Sequence, residues 1–252
     1  MKRIVVMQPY YIPWYGFFEQ VKLADIYVFF DDVQYIKRSL MSRVDIKTKN
    51  GSQWMTIPLH KVHQGDLINE VICHEESSWR GDHLNRLKQA YQKAPYFTEM
   101  IDIAADIYSS SSEYLANVTI TAINKICEYY ELNKNTQFYR SSELEIDGKG
   151  TQRLFDIAAY FGADTYLTGM GALKYFDYDY FISRGVNVEF IHYAKSSYPQ
   201  LYGEFNPYIS ILDLIANTGK EGIRYMNSDA VHYKDFIHTE EAKNYVKNNF
   251  NN

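Results

Sequence analysis

The 252-residue chain has only two cysteines, Cys73 and Cys127. They stand far apart and without metal-ligand spacing. That excludes a disulfide framework and a cysteine-rich zinc site, and fits two buried thiols in a reducing compartment. Long hydrophobic runs are missing too. No window reaches the roughly 18 uninterrupted apolar residues of a membrane span. The apolar run after Lys2-Arg3 stops at Gln8-Pro9, too short for a secretory signal core. Positive charge is not in excess: 26 Lys and Arg against 31 Asp and Glu give a net charge of −5. A phosphate backbone calls for a positive surface, so nucleic acid is not an expected partner. The expected setting is the cytoplasm. G-x-S-x-G, a P-loop, G-x-G-x-x-G and H-E-x-x-H are all absent, so Ser-His-Asp hydrolysis and P-loop phosphotransfer lack support.

What the chain has in quantity is tyrosine, 24 residues beside 14 Phe and 3 Trp. A phenol joins a flat apolar body to a hydroxyl. It suits a thick aromatic core, or a pocket for sugars or nucleobases, and composition does not choose. With 46% hydrophobic and 23% charged residues the chain is an ordinary globular sequence, long enough for a core without disulfides or metals.

Patterning gives the architecture. Ile4 to Met7 reads as a buried strand, and Pro9 and Pro13 keep the following loop out of helix. Gly16 opens a helix over 17–24, and Ile26 to Phe30 is a second buried strand ending at Asp31-Asp32. Strand, helix and strand within about 30 residues make a parallel βαβ unit. The stretch 43–59 alternates around Asn50-Gly51, a hairpin signal, with a third strand expected over 70–73. Helices are expected over 79–93, 97–108 and 113–130. Then strands at 136–139, 165–167 and 187–192 alternate with helices over 151–161 and 179–184, and a helix over 208–216 follows. The last 20 residues read as a solvated helix with a frayed end. The expected fold is one α/β domain over 1–252. Its open, mostly parallel sheet is flanked by helices, and an insertion over approximately 43–132 carries an antiparallel hairpin and a helical region.

In such a sheet, ligands bind beyond the carboxyl ends of the strands. Three expected strands end there in distinctive residues: Gln8-Pro9, Asp31-Asp32 and Thr168-Gly169-Met170-Gly171. Gly169 and Gly171 let backbone approach a ligand. A plainer account also exists for each: turn caps, turn glycines, and Trp14 as a core residue. Lys37 and Arg43 sit in a loop that is either solvated or neutralises a pyrophosphate or carboxylate, Arg being the better bidentate clamp. His60 and His63 lack a third ligand, so no metal is expected. His83, on a helix, reads as a surface or interface histidine.

Several segments resemble the WbqC-like protein family. They are Met7-Gln8-Pro9-Tyr10-Tyr11-Ile12-Pro13-Trp14-Tyr15-Gly16-Phe17-Phe18, Asp31-Asp32-Val33-Gln34-Tyr35-Ile36-Lys37-Arg38, Ala94-Pro95-Tyr96-Phe97, Tyr166-Leu167-Thr168-Gly169-Met170-Gly171-Ala172, Tyr198-Pro199-Gln200 and Phe205-Asn206-Pro207-Tyr208-Ile209-Ser210-Ile211-Leu212-Asp213. They run in order from about residue 4 to 220. One departure is Ser42, where the family places Asn before Arg43. The resemblance implies a role in bacterial surface polysaccharide, O-antigen above all, attaching acyl or aminoacyl groups to amino sugars. It assigns no catalytic residue. The first βαβ unit is also similar to the nucleotidyltransferase and pantoate-ligase group, but Trp14-Tyr15-Gly16-Phe17 lacks both histidines of its H-x-G-H motif.

The expected activity is therefore acyl or aminoacyl transfer to the amine of a nucleotide-linked amino sugar. An ATP-dependent ligase and a nonenzymatic nucleotide-sugar-binding protein are the alternatives. No cofactor is certain; an acyl or aminoacyl donor, or ATP, is the expected co-reactant. Amide formation needs a base and oxyanion donors. Asp31, Asp32 or His83 is the expected base. Lys37, Arg43, Thr168 and the Gly169–Gly171 loop would hold phosphate or oxyanion, with Gln8 beside them. Tyr11 and Trp14 would stack on base or sugar. Asn206 and Ser210, at a helix start, would face an anionic group, and Asp213 would orient Lys37 or Arg43 or hold a sugar hydroxyl.

Overall fold

Apolar residues of both parities fill the central strands, so each strand must be covered on both faces. The computed structural model, which describes residues 1–75 and 78–250, satisfies that requirement with a six-stranded sheet. The strands are β1 (Arg3–Met7), β2 (Ile26–Phe29), β5 (Gln137–Arg140), β6 (Thr165–Thr168), β7 (Asn187–His192) and β8 (Asp229–His232), in the order β5-β2-β1-β6-β7-β8. All pair in parallel except β8, which runs antiparallel along β7. A separate hairpin, β3 (Arg43–Thr48) and β4 (Gly51–Thr56), pairs antiparallel in the register Arg43↔Thr56 to Thr48↔Gly51.

Alternation along the strands divides the core in two. Val5, Tyr27, Phe29, Leu167 and Ile191 face one hydrophobic cluster. Ile4, Val6, Ile26, Val28, Tyr166, Val188 and Phe190 face the other. The first is completed by α1 (Tyr15–Leu23), the hairpin, α2 (Trp79–Tyr91), α3 (Phe97–Tyr108), α4 (Leu115–Tyr129) and α7 (Ile211–Thr218). The second is completed by α5 (Gly150–Tyr160), α6 (Tyr178–Ile182), α8 (Tyr233–Phe236) and α9 (Glu240–Phe250). The sheet is therefore wound on both faces, as the alternation of strands and helices predicts.

The chain leaves β1 through α1 to reach β2 on one side, and returns through α5 to place β6 on the other. The strand order reverses between β1 and β6, which makes their carboxyl ends the topological switch point.

Local differences from expectation have physical causes. Residues 68–70 form a short 3₁₀ turn in place of the start of a third hairpin strand, and Ile72 and Cys73 make only single bridges to Tyr114 and Leu59. β8 arises in a stretch for which the sequence predicts no element; it borrows its hydrogen bonds from the free edge of β7. Of the last 20 residues, expected to be a solvated helix with a frayed end, Glu240–Phe250 form α9, and 251–252 lie outside the described residues. No helix among the described residues is long and apolar enough to cross a membrane. Both cysteines are buried and unpaired.

Candidate functional site

The loop from Gln8 to Trp14 runs over the carboxyl edge of the sheet and has a cleft on either side. The first cleft, about 410 Å³, opens at the switch point. Its walls include Gln8 and Tyr10 after β1, Thr168, Gly169 and Gly171 after β6, and Phe30 after β2. Gly150 and Leu154 of α5, and Tyr175, close it. Gly150 has φ 57, a left-handed conformation that favours glycine. A Cβ on Gly171 would meet nothing within 4 Å, so the cleft is open there. The first turn of α5 has no side-chain cap, which leaves its N–H groups available beside the glycines. Burial raises the Tyr10 phenol, which keeps it a protonated donor.

The second cleft, about 390 Å³, lies between the loop and the hairpin. Tyr11, Pro13 and Trp14 meet Arg43, Asp45 and Trp54 across it, with Asn206 and Tyr208 at its end. The Trp14 ring packs 5.2 Å from Tyr208 and 5.0 Å from Tyr193 between centroids. Gly16 makes room for it, since a Cβ there would overlap the indole.

Of the residues singled out from sequence, Gln8, Thr168, Gly169 and Gly171 come together in the first cleft, and Tyr11, Trp14, Arg43 and Asn206 in the second. Asp31 and Asp32 stand at the carboxyl end of β2 but line neither. The fully buried Asp31 accepts from Arg140 Nε at 2.7 Å, Ser142 Oγ at 2.9 Å and Ser142 N at 3.1 Å. Asp32 pairs with Arg153 of α5 and accepts from Ser141 Oγ. With its lone pairs committed, Asp31 has no free oxygen for the role of base; it ties the end of β2 to β5 and the turn after it, while Asp32 ties it to α5, a wall of the first cleft. Lys37 is exposed and lines neither cleft.

His83 is buried, with Nδ1 2.8 Å from the Tyr11 hydroxyl, which is 2.6 Å from that of Tyr108. It is neither a surface nor a solvent-facing histidine, and burial pushes its pKa down to about 4. Ser210 is also fully buried. Its Oγ donates to Ile12 O at 2.9 Å and caps α7, and its N–H donates to Asp45 O, so it ties loop, helix and hairpin together instead of facing a ligand. Asp213 lies among Tyr198, Tyr91 and Asn217, with Lys47 nearby in place of Lys37 or Arg43.

The sequence reading does not single out Tyr10, Gly150, Tyr175, Asp45, Trp54 or Tyr208. Two of these have a legible signal: Gly148-Lys149-Gly150 precedes a helix, and Asp45 follows Arg43 by two on an alternating strand.

The sequence model of the WbqC-like protein family matches residues 8–225, a span that takes in both clefts apart from Val6 and Met7. The chain belongs to this family. This WbqC-like protein is also 34% identical over 232 residues to the uncharacterized protein Rv1507c of Mycobacterium tuberculosis, covering 90% of this chain and 98% of that one. No solved structure matches it. Among the described residues no group of three or more His, Cys, Asp or Glu side chains is arranged to hold a metal.

Proposed function

We propose that this WbqC-like protein joins an acyl or aminoacyl group to the amine of a nucleotide-linked amino sugar during the making of a bacterial surface polysaccharide. The observation that carries this reading is the glycine-walled cleft at the switch point, where α/β sheets bind nucleotides. Backbone N–H groups at Gly150 and Gly169–Gly171, with Gln8 and Thr168, would hold the diphosphate. Tyr10 and Tyr175 would flank a ring. The second cleft, across the same loop, offers a place for the second reactant.

One observation favours a second reading, binding without turnover: the walls of the first cleft carry no carboxylate or imidazole to take a proton from the amine. Calorimetry with a nucleotide-diphosphate amino sugar tests the shared part. Wild type should bind it, and Gly171→Leu, which fills open space, should bind at least tenfold more weakly with its melting temperature unchanged. Binding of ATP but of no nucleotide sugar would overturn the reading. Mass spectrometry after adding an acyl thioester then separates the two readings: an amide product means transfer, and its absence despite saturable binding means a binding protein.

A further inference from the structure

The hairpin carries two charged side chains, each with a buried atom that the fold leaves without a hydrogen bond. Arg43 and Asp45 alternate on one face of β3, and Trp54 stands opposite Asp45 on β4. Arg43 Nε is buried without a hydrogen-bond partner, and so is Asp45 Oδ1. Neither forms a salt bridge within 4.0 Å with the other or with another described residue, and the Asp45 carboxyl is met only by neutral groups of the hairpin, Ser52 and the N–H groups of Ile46 and Gln53. Leaving either buried atom unpaired costs free energy, so such positions mark strain or a missing ligand. Both line the second cleft.

The cleft adds shape to these charges. The Arg43 guanidinium lies 4.3 Å from the Trp54 ring centroid, which fixes its plane and leaves its edge for an anion. Trp14 and Tyr208 supply flat walls opposite. Residues two apart on a strand project about 7 Å apart. The ligand must therefore present an anionic group and a donor or cation within a few ångströms of each other, beside an apolar body.

From this we infer that the second cleft binds a small molecule carrying an ammonium next to an anionic group, the anion on Arg43 and the ammonium on Asp45. Burial raises the Asp45 carboxyl, and a bound cation would bring it back toward the ordinary range. Two sources share this chemistry: a free α-amino acid with an apolar side chain, and an amino sugar phosphate. Binding makes and breaks no bond, and it requires nothing of the first cleft.

Trp14 and Trp54 are two of the three tryptophans, so the quenching of intrinsic fluorescence reads the site directly. One arm titrates the free L-amino acids, the other glucosamine 1-phosphate. At least one probe should bind saturably, and the matching compound without its amine, or without its anion, should bind at least tenfold more weakly. Arg43→Gln and Asp45→Asn should each weaken binding tenfold or more. Both variants should remain folded, because the first gives up only the Trp54 contact and the second keeps an oxygen that can accept from Ser52 and the strand N–H groups, and neither breaks a salt bridge. Trp54→Ala, at an exposed position, serves as the wall variant that leaves the core intact. Failure of every probe in both arms, or binding indifferent to Arg43→Gln and Asp45→Asn, would overturn the inference. Gly171→Leu separates it from the reading of the first cleft: binding here should survive that change even if no nucleotide sugar binds at all.

Discussion

Asp213 is held among phenols, with no cation in direct contact. Tyr198 donates to Oδ1 at 3.0 Å, Tyr91 approaches the same carboxyl, and Asn217 donates at 3.3 Å, while the Lys47 ammonium is engaged by Gln200 and the Glu204 carbonyl. Burial, the largest influence, pushes its pKa up from 3.8 to about 6. A raised carboxyl stabilises the fold in its protonated form. That contribution is full below about pH 4, is lost as pH rises through about 6, and corresponds to roughly 3 kcal/mol. Asp213→Asn keeps the shape without the titration. Urea unfolding between pH 4 and pH 7 should therefore show wild type losing roughly 3 kcal/mol relative to the variant; a constant difference would refute this. That Asp213 would be buried and hydrogen-bonded is legible in Ser210-Ile211-Leu212-Asp213-Leu214. Its neighbour is not, because Lys47 reaches it only through the packing of the hairpin onto α7.

Elements are joined at the sheet edge by two arginines. Arg140 ends β5 and clamps the buried Asp31, with Nη2 at 2.6 Å and Nε at 2.7 Å. Arg153 lies one turn into α5 and holds Asp32. Removing one partner of a buried pair strands the other charge. Arg140→Met should thus destabilise the protein by about 3–5 kcal/mol in urea unfolding, whereas Asp31→Asn should cost less, since Arg140 is 28% exposed and can turn to water. Equal losses would mean that the pair contributes only through packing. The strand–helix–strand rhythm was readable because each strand is a dense apolar run and α3, α4 and α7 carry one apolar face. β8 was not: Asp229-Ala230-Val231-His232 has no such run, and only the free edge of β7 makes it a strand. Likewise Asp31-Asp32 marks a strand end in sequence, but the arginines that claim it lie far along the chain.

At the scale of the whole molecule, one loop serves both halves. Ile12, between the two clefts, has φ 42. A β-branched residue rarely adopts that conformation, and holding it there costs about 1–3 kcal/mol. The surroundings impose it: Tyr11 N donates to Leu40 O at 2.9 Å, Ile211 N donates to Pro13 O at 2.9 Å, and Ser210 Oγ donates to Ile12 O. The Ile12 side chain is fully buried as well. A proline-containing loop is ordinarily among the first segments to open. Here its two clamps reach the hairpin side and α7, so the loop should open only when those do. Amide exchange at Tyr11 should accordingly be as slow as in β1, and exchange within seconds would show the loop to be free. Ile12→Gly relieves the backbone strain but removes a buried side chain worth about 2–5 kcal/mol and adds chain entropy. The net loss should be roughly 2 kcal/mol or more, with Tyr11 exchange accelerated before the core strands respond. Gly171→Leu changes only the first cleft and Trp54→Ala only the second, so both should leave Tyr11 protected. A variant at either of those positions that exposed Tyr11 would mean that the cleft wall, and not Ile12 with its clamps, sets the rigidity of the loop.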